Sequence, residues 1–327
     1  LTPGIEEPDA IFLTASASVR VSMTTGTAAS QAIDASLSLS IVQKDFVILD
    51  AAQFDDTDAG KAALKAALTT AKGKTVWQIS GLAVESSNNQ DAVNRRISAI
   101  KEALQAVYDA DNATRITLYL PDATKLENNA FGICNALTRA SLPKLATAGD
   151  ETFSSCYALT DVSLPLLATV GDYTFSNCTS LTSPTLPLLA TAGDETFYNC
   201  TNLTSLTLPL LATAENRTFY NCTSLASVTL PKLTTAGNWT FYYCENLTSV
   251  TFGTPLTAWG SYVFQYVTTT NLTLTLSPEQ KIFTGDGDNG STGTLTETPF
   301  DWDAAGTAFA GYTFKEIKKY VAPTAPE

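Results

Sequence analysis

The strongest constraint on this chain is a register of 22 residues, cleanest in Leu159 to Ser180: Leu-Thr-x-x-x-Leu-Pro-x-Leu-x-Thr-x-x-x-x-Thr-Phe-x-x-Cys. Phenylalanine keeps it at Phe131, Phe153, Phe175, Phe197, Phe219 and Phe241. Cysteine keeps it at Cys134, Cys156, Cys178, Cys200, Cys222 and Cys244, and leucine from Leu137 to Leu247. A fixed period of this length specifies a solenoid. A single copy cannot bury its own Leu, Phe and Cys, so each coil must stack on the next. Val162 and Leu164 alternate with Asp161 and Ser163, as a short half-buried strand requires, and stacked strands make a parallel sheet. Proline closes each strand because it has no N–H for the ladder. Gly149, Gly171, Gly193 and Gly237 are expected to mark a turn.

The Leu-Pro pair, the Gly-Asp before Thr-Phe and the Phe-x-x-Cys-x-x-Leu run resemble the BspA-type leucine-rich repeats of bacterial surface proteins. The resemblance covers about Ile116 to Phe264 and implies an exported or surface-attached protein that acts in adhesion or recognition. Three positions depart from the pattern: Pro184 in the centre of a strand, Glu215 in the glycine column, and the irregular Phe252-Gly-Thr-Pro255.

The expected fold class is α/β: a leucine-rich-repeat solenoid with a parallel sheet on one face, helix-backed units at the N-terminal end and a short irregular C-terminal cap. Four segments follow. Residues 1–44 form a Ser/Thr-rich β element and leader, with alternating strands at Val19-Arg-Val21-Ser-Met23 and Leu37-Ser-Leu39-Ser-Ile41 and a disordered first ten residues. Residues 45–115 hold two helix-strand capping units. A strand at Phe46–Leu49 precedes a helix that Asp55-Asp-Thr57 starts and that runs through Ala71 until Lys72-Gly73 stops it. A strand at Thr75–Ile79 precedes a helix from about Asp91 to Tyr108. Residues 116–264 are the repeats. Residues 265–327 add one coil at Asn271–Leu276, a closing strand at Phe309–Ile317 and a tail from Lys318.

The chain of 327 residues has no histidine, which removes imidazole triads and imidazole metal sites together. It lacks phosphate-binding glycine loops. Asp150, Glu151, Asp194 and Glu195 recur in register, which suits a turn role better than a glycosidase pair. The function that the family resemblance implies, together with the aromatic columns described below, is non-enzymatic binding of a protein or glycan. A structural spacer without a ligand is the alternative, and a hydrolase with carboxylates in a cap is a more remote one. No cofactor is implied. The net charge of −13 opposes contact with nucleic acid. No apolar stretch is long enough to span a bilayer. The leader without methionine is consistent with a removed export signal, and a lipid anchor upstream of residue 1 is left open. A monomer is expected at the cell surface or outside the cell.

Cysteines in register are expected to remain buried free thiols: neighbouring coils hold equivalent Cβ atoms about 4.8 Å apart, beyond disulfide reach. Pairing between adjacent coils is the alternative. Asp286-Gly-Asp288-Asn289-Gly290 with Glu297 echoes part of a calcium loop, but Ser291 replaces the turn glycine, which favours a plain acidic loop. The ligand candidates lie where side chains vary while the frame stays constant. Tyr173 and Trp239 lie two residues before the repeat phenylalanine, Tyr198, Tyr220 and Tyr242 one residue after it, and Tyr243 beside the last. Consecutive aromatics would form a ribbon suited to protein or glycan contact, or simply fill the coil edge. On the outer sheet face, small hydroxyls dominate and only Tyr119, Arg139 and Asp161 look ligand-like.

Overall fold

The computed structural model describes residues 46–55, 57–70, 73–84, 89–285, 292–302 and 307–323. The expected N-terminal β element, the disordered first ten residues and the acidic loop at 286–291 lie outside these residues. Two compact units are present, one containing the described residues up to Ala123 with Ala136–Pro143, the other Thr124–Asn135 and Lys144 onward.

In the first unit, β1 (Phe46–Asp50), α1 (Asp58–Thr70), β2 (Val76–Ser80), α2 (Gln90–Ala110) and β3 (Ile116–Tyr119) follow one another. The strands pair in parallel in the order β1, β2, β3, then Leu137–Ser141. Parallel neighbours need a crossover, and the apolar stripes of α1 and α2 supply it: Leu64, Leu68, Ile97, Ile100 and Leu104 are fully or almost fully buried. Thr57 starts α1 as expected, its hydroxyl accepting from the Gly60 N–H at 3.2 Å. Glu102 of α2 accepts from Lys61 and Lys65 of α1 at 2.6 and 3.1 Å. Those partners hold the Glu102 carboxyl below its ordinary range, the Lys61 bond contributing most.

The second unit is a solenoid whose coils repeat at the sequence period. On one side, strands at Ser205–Thr207, Ser227–Leu230, Ser249–Phe252, Thr273–Leu276 and Glu316–Lys319 pair in parallel, with Ser205 opposite Ser227 and Ser227 opposite Ser249. On the other, two-residue strands from Lys125–Leu126 to Ala258–Trp259 form a continuous seven-stranded ladder. Between them lies one ring per coil. Phe131, Phe153, Phe175, Phe197, Phe219, Phe241 and Phe264 stack with centroids 5.3–5.8 Å apart. Burial of each ring is worth about 1.5–3 kcal/mol relative to exposure.

All six cysteines are buried and free. Each thiol from Cys156 to Cys244 donates to the carbonyl of the phenylalanine one coil back, Cys178 to Phe153 at 3.1 Å for example. Burial pushes the Cys222 thiol up to about 12 and raises Cys178, Cys200 and Cys244 in the same direction.

Pro184 does more than weaken its strand. The ladder between Asp161–Ser163 and Ser205–Thr207 is reduced to one bridge, Ser163 to Thr185. Thr185 donates to Val162 and accepts from Leu164, so its coil is closed on the preceding side. Successive strand residues bond to opposite neighbours, so an N–H at 184 would serve the following coil, and proline has none. No backbone hydrogen bond joins 183–186 to 205–207. A depression of about 480 Å³ opens there.

Gly149, Gly171 and Gly193 stand immediately before the turn, as expected, but not to supply its left-handed residue. None has a positive φ. A Cβ on Gly171 would lie 2.1 Å from Oδ1 of Asp150 in the preceding coil, so glycine serves close approach and the left-handed turn belongs to other residues.

The end of the chain also differs. Ala308–Phe309 and Tyr312–Thr313 fold back on each other, and the closing strand is Glu316–Lys319, which includes Lys318 and Lys319 of the expected tail. The irregular copy lengthens the register, so Thr235 faces Ala258 and Ser249 faces Thr273. The aromatic column ends edge-on against Tyr312 and Phe314, 5.7 and 5.6 Å from Phe264. Buried Gln280 completes the ladder with its side chain, accepting from Leu256 N–H at 2.7 Å and donating to the Leu256 carbonyl at 3.2 Å.

Candidate functional site

The turn around each core phenylalanine contains two left-handed residues, one two positions before the ring and one two positions after it. The first set is Asn129, Glu151, Tyr173, Glu195, Arg217, Trp239 and Tyr262; the second is Ile133, Ser155, Asn177, Asn199, Asn221, Tyr243 and Tyr266, all with φ between 54° and 63°. Non-glycine residues enter this region at a cost that surrounding contacts must offset. Here backbone bonds between coils do so: Tyr173 N–H reaches the Asp194 carbonyl at 2.8 Å, and Asn177 N–H reaches that of Tyr198 at 2.8 Å. The asparagines add a side-chain ladder, Asn199 Nδ2 to Asn177 Oδ1 at 2.8 Å and Asn221 Nδ2 to Asn199 Oδ1 at 2.7 Å. This rigid double turn projects the variable side chains outward.

The structure brings most of the sequence-selected aromatics together. Tyr198, Tyr220 and Tyr242 stack at 4.9 and 4.8 Å. Tyr243 meets Tyr242 edge-on at 4.7 Å and lies flat on Tyr266 at 4.5 Å, and Tyr266 is 54% exposed. In the other column the Arg217 guanidinium covers Trp239 at 4.7 Å while bonding Glu195 at 2.8 Å, and Trp239 stacks on Tyr262 at 6.2 Å. Tyr173, 38% exposed, has its hydroxyl pKa raised mainly by the Glu195 carboxylate.

Tyr262 and Tyr266 were not among the sequence candidates because the irregular copy shifts them one residue out of register; realigning on Phe264 recovers both. Burial raises the Tyr220 phenol, and burial with the Tyr266 hydrogen bond pushes Tyr242 up to about 12. Both are neutral over the physiological range, so the ribbon presents hydroxyl groups and ring edges next to one cation.

The sheet-face candidates fare differently. Tyr119 is buried, 6% exposed, in register between Gln78 and Ser141, so it belongs to the first unit's packing and is no open contact residue. Arg139 is exposed in that unit, and Asp161 is half-buried in the second. Neither extends the tyrosine cluster.

The recurrent aspartates have structural partners. Oδ1 of Asp150, Asp172 and Asp194 accepts the backbone N–H of Asp172, Asp194 and Asn216 at 2.8–2.9 Å. Asn128 begins this ladder, and Asn216 and Asn238 carry it on to Ser261. Among the described residues, no group of three or more His, Cys, Asp or Glu is placed to hold a metal ion, and no helix is long and apolar enough to cross a membrane.

Three solved structures are similar in part. A leucine rich repeat protein of T. pallidum shares 28% identity over 43% of this chain and 71% of its own, with a TM-score of 0.41. A leucine-rich repeat protein from Bacteroides ovatus shares 22% over 50% and 55%, TM-score 0.36. A leucine rich cell surface protein from Faecalibacterium prausnitzii shares 15% over 76% and 80%, TM-score 0.28. No curated protein matches the chain. The BspA type leucine rich repeat region matches as six copies over residues 100–209 and 168–283, more than half of the chain. The chain therefore belongs to the BspA type leucine rich repeat family.

Proposed function

We propose that this protein is a non-enzymatic recognition module, displayed at a bacterial surface, that binds a protein or glycan partner through the aromatic edge of its solenoid. The observation that carries this reading is the cluster of Tyr198, Tyr220, Tyr242, Tyr243 and Tyr266, flanked by Arg217, Trp239 and Tyr262. Tyr, Trp and Arg are the side chains that dominate binding hot spots. Here they stand on a backbone already ordered by the coils, so association loses little conformational entropy. The cluster is confined to a few coils, whereas a ladder serving only coil stacking would recur in all, and Ser154 and Ser176 hold the same column elsewhere. The family of bacterial surface proteins to which the chain belongs supports binding as the class of function.

The test is a glycan-array and extracellular-matrix protein screen of the wild type against a variant with Tyr198, Tyr220, Trp239 and Tyr242 replaced by serine, both checked by circular dichroism. Binding by the wild type that the folded variant loses supports the aromatic edge. Equal binding by both transfers the site elsewhere, and silence from both favours a spacer.

A further inference from the structure

A second surface lies on the same solenoid, at the residue after the strand-closing prolines from Pro143 to Pro231. This column reads Lys144, Leu166, Leu188, Leu210, Lys232 in consecutive coils. Leu166 and Leu188 are 47% and 39% exposed, Leu210 is half-buried, and both lysines are exposed. Large aliphatic side chains repeated at the surface of neighbouring coils form a contiguous apolar ridge, and such patches mark contact surfaces. The Leu in the next column, Leu167, Leu189 and Leu211, is fully buried and belongs to the core, so the exposed leucines are not needed there. The lining of the depression made by Pro184 includes Pro187 and Pro209, the residues immediately before Leu188 and Leu210.

Two features select the occupant. The leucines repeat at the coil spacing, about 4.8 Å. An α-helix presents its apolar stripe once per turn, about 5.4 Å, whereas a strand presents same-face residues about 6.6 Å apart. The helix keeps register over three coils and the strand does not. The second feature is charge. Lys144 and Lys232 close the ridge at both ends, about 19 Å apart over four coil steps, a span of about 13 helical residues. If two copies met across a two-fold axis, Lys144 of each would face Lys232 of the other, so self-pairing sets like charges together at both ends.

We propose that the Leu166-Leu188-Leu210 ridge docks an amphipathic helix of a partner protein, its leucine-like stripe on the ridge and its acidic residues at both ends on Lys144 and Lys232. Helix docking by an apolar face is a recurrent mode of recognition, and the chain's net charge of −13 makes the two lysines a local exception that directs an acidic ligand. The surface is independent of the tyrosine cluster.

The probe is a synthetic amphipathic helical peptide slightly longer than the ridge, with a leucine stripe and glutamates at both ends. Two controls accompany it, one with lysines at the ends and one of the same composition without the stripe. Fluorescence anisotropy should show binding of the glutamate-ended peptide alone, weakened at least tenfold by Leu188→Glu and, separately, by Lys144→Glu with Lys232→Glu. The charge-reversed pair should in turn gain affinity for the lysine-ended peptide, a gain that misfolding does not produce. Replacement of Tyr198 and Tyr242 by serine should change nothing. Equal binding of all three peptides, no binding of any, self-association that Leu188→Glu abolishes, or binding to anionic phosphatidylserine vesicles that depends on Leu188 would each overturn the proposal.

Discussion

Two ladders of stacked rings run through the same coils. The phenylalanine ladder occupies every coil from Phe131 to Phe264, fully or almost fully buried, at centroid spacings of 5.3–5.8 Å. The tyrosine ladder occupies three, Tyr198, Tyr220 and Tyr242, half-buried, at 4.8–4.9 Å. Both arise from the same cause: stacking identical coils puts equivalent side chains one above another. They differ in whether the solenoid needs them. Phe is the largest buried side chain of each coil from Phe131 to Phe241, whereas serine replaces tyrosine in neighbouring coils with the backbone unchanged around it. Periodicity alone therefore identifies structural residues, and a local break in it identifies those available for contact.

The largest effect tests the first ladder. Phe197→Ala removes a ring stacked on both faces and is expected to destabilise the second unit by about 3–5 kcal/mol, read as a shift in the urea midpoint. A loss below about 1 kcal/mol would mean that the column is not the structural core. Tyr220→Ala tests the second ladder. Its ring contacts with Tyr198, Tyr242 and Tyr243 are worth about 0.5–1.5 kcal/mol each, but the ring is only half-buried and leaves no closed cavity, so the change should cost less than Phe197→Ala while abolishing any ligand binding found by the screen. A stability loss equal to that of phenylalanine would dissolve the distinction between the ladders.

The smallest effect is confined to alkaline pH. The Tyr242 phenol is raised from its ordinary value near 10 to about 12 in the folded protein. A group with a raised folded value contributes stability fully present below its unfolded pKa and lost as pH rises through the folded value. Stability should therefore hold up to about pH 10 and fall between 10 and 12, and Tyr242→Phe should flatten that fall. Ultraviolet titration of phenolate alongside denaturation measures both. The thiols provide a check on the buried region that needs no mutation: the six cysteines should ignore an aromatic disulfide reagent in the native protein and all react after unfolding.

Much of this was legible in the residues. The heptad-free, 22-residue recurrence of Leu, Phe and Cys announced the coil, its sheet and its free thiols, and Pro184 stood out as a strand residue unable to donate. The tyrosine column was visible as variation inside a constant frame. Tyr119 was misplaced because alternation tells which face a residue takes and not whether that face is open. The glycines were legible as turn markers, but not their reason: glycine answers two needs, a positive φ and a close approach, and only the Asp150 carboxylate beside Gly171 tells them apart. The leucine ridge was open to the same reading as the tyrosine column, since the Leu-Pro-x-Leu register keeps Leu167 constant and lets position 166 vary to Lys144 and Lys232, but only the structure shows how far Leu166 and Leu188 are exposed.

What the sequence by itself determined is the repeat, its period and the identity of the core, because a column of buried rings needs the same residue at the same place in every coil. What only the tertiary structure decided is the surface. Which tyrosines stack, how Arg217 spans Glu195 and Trp239, and where the sheet opens beside Pro184 depend on hydrogen bonds and contacts between residues about one period apart. Those bonds exist only once the coils have closed on one another, since no local stretch of chain contains both partners.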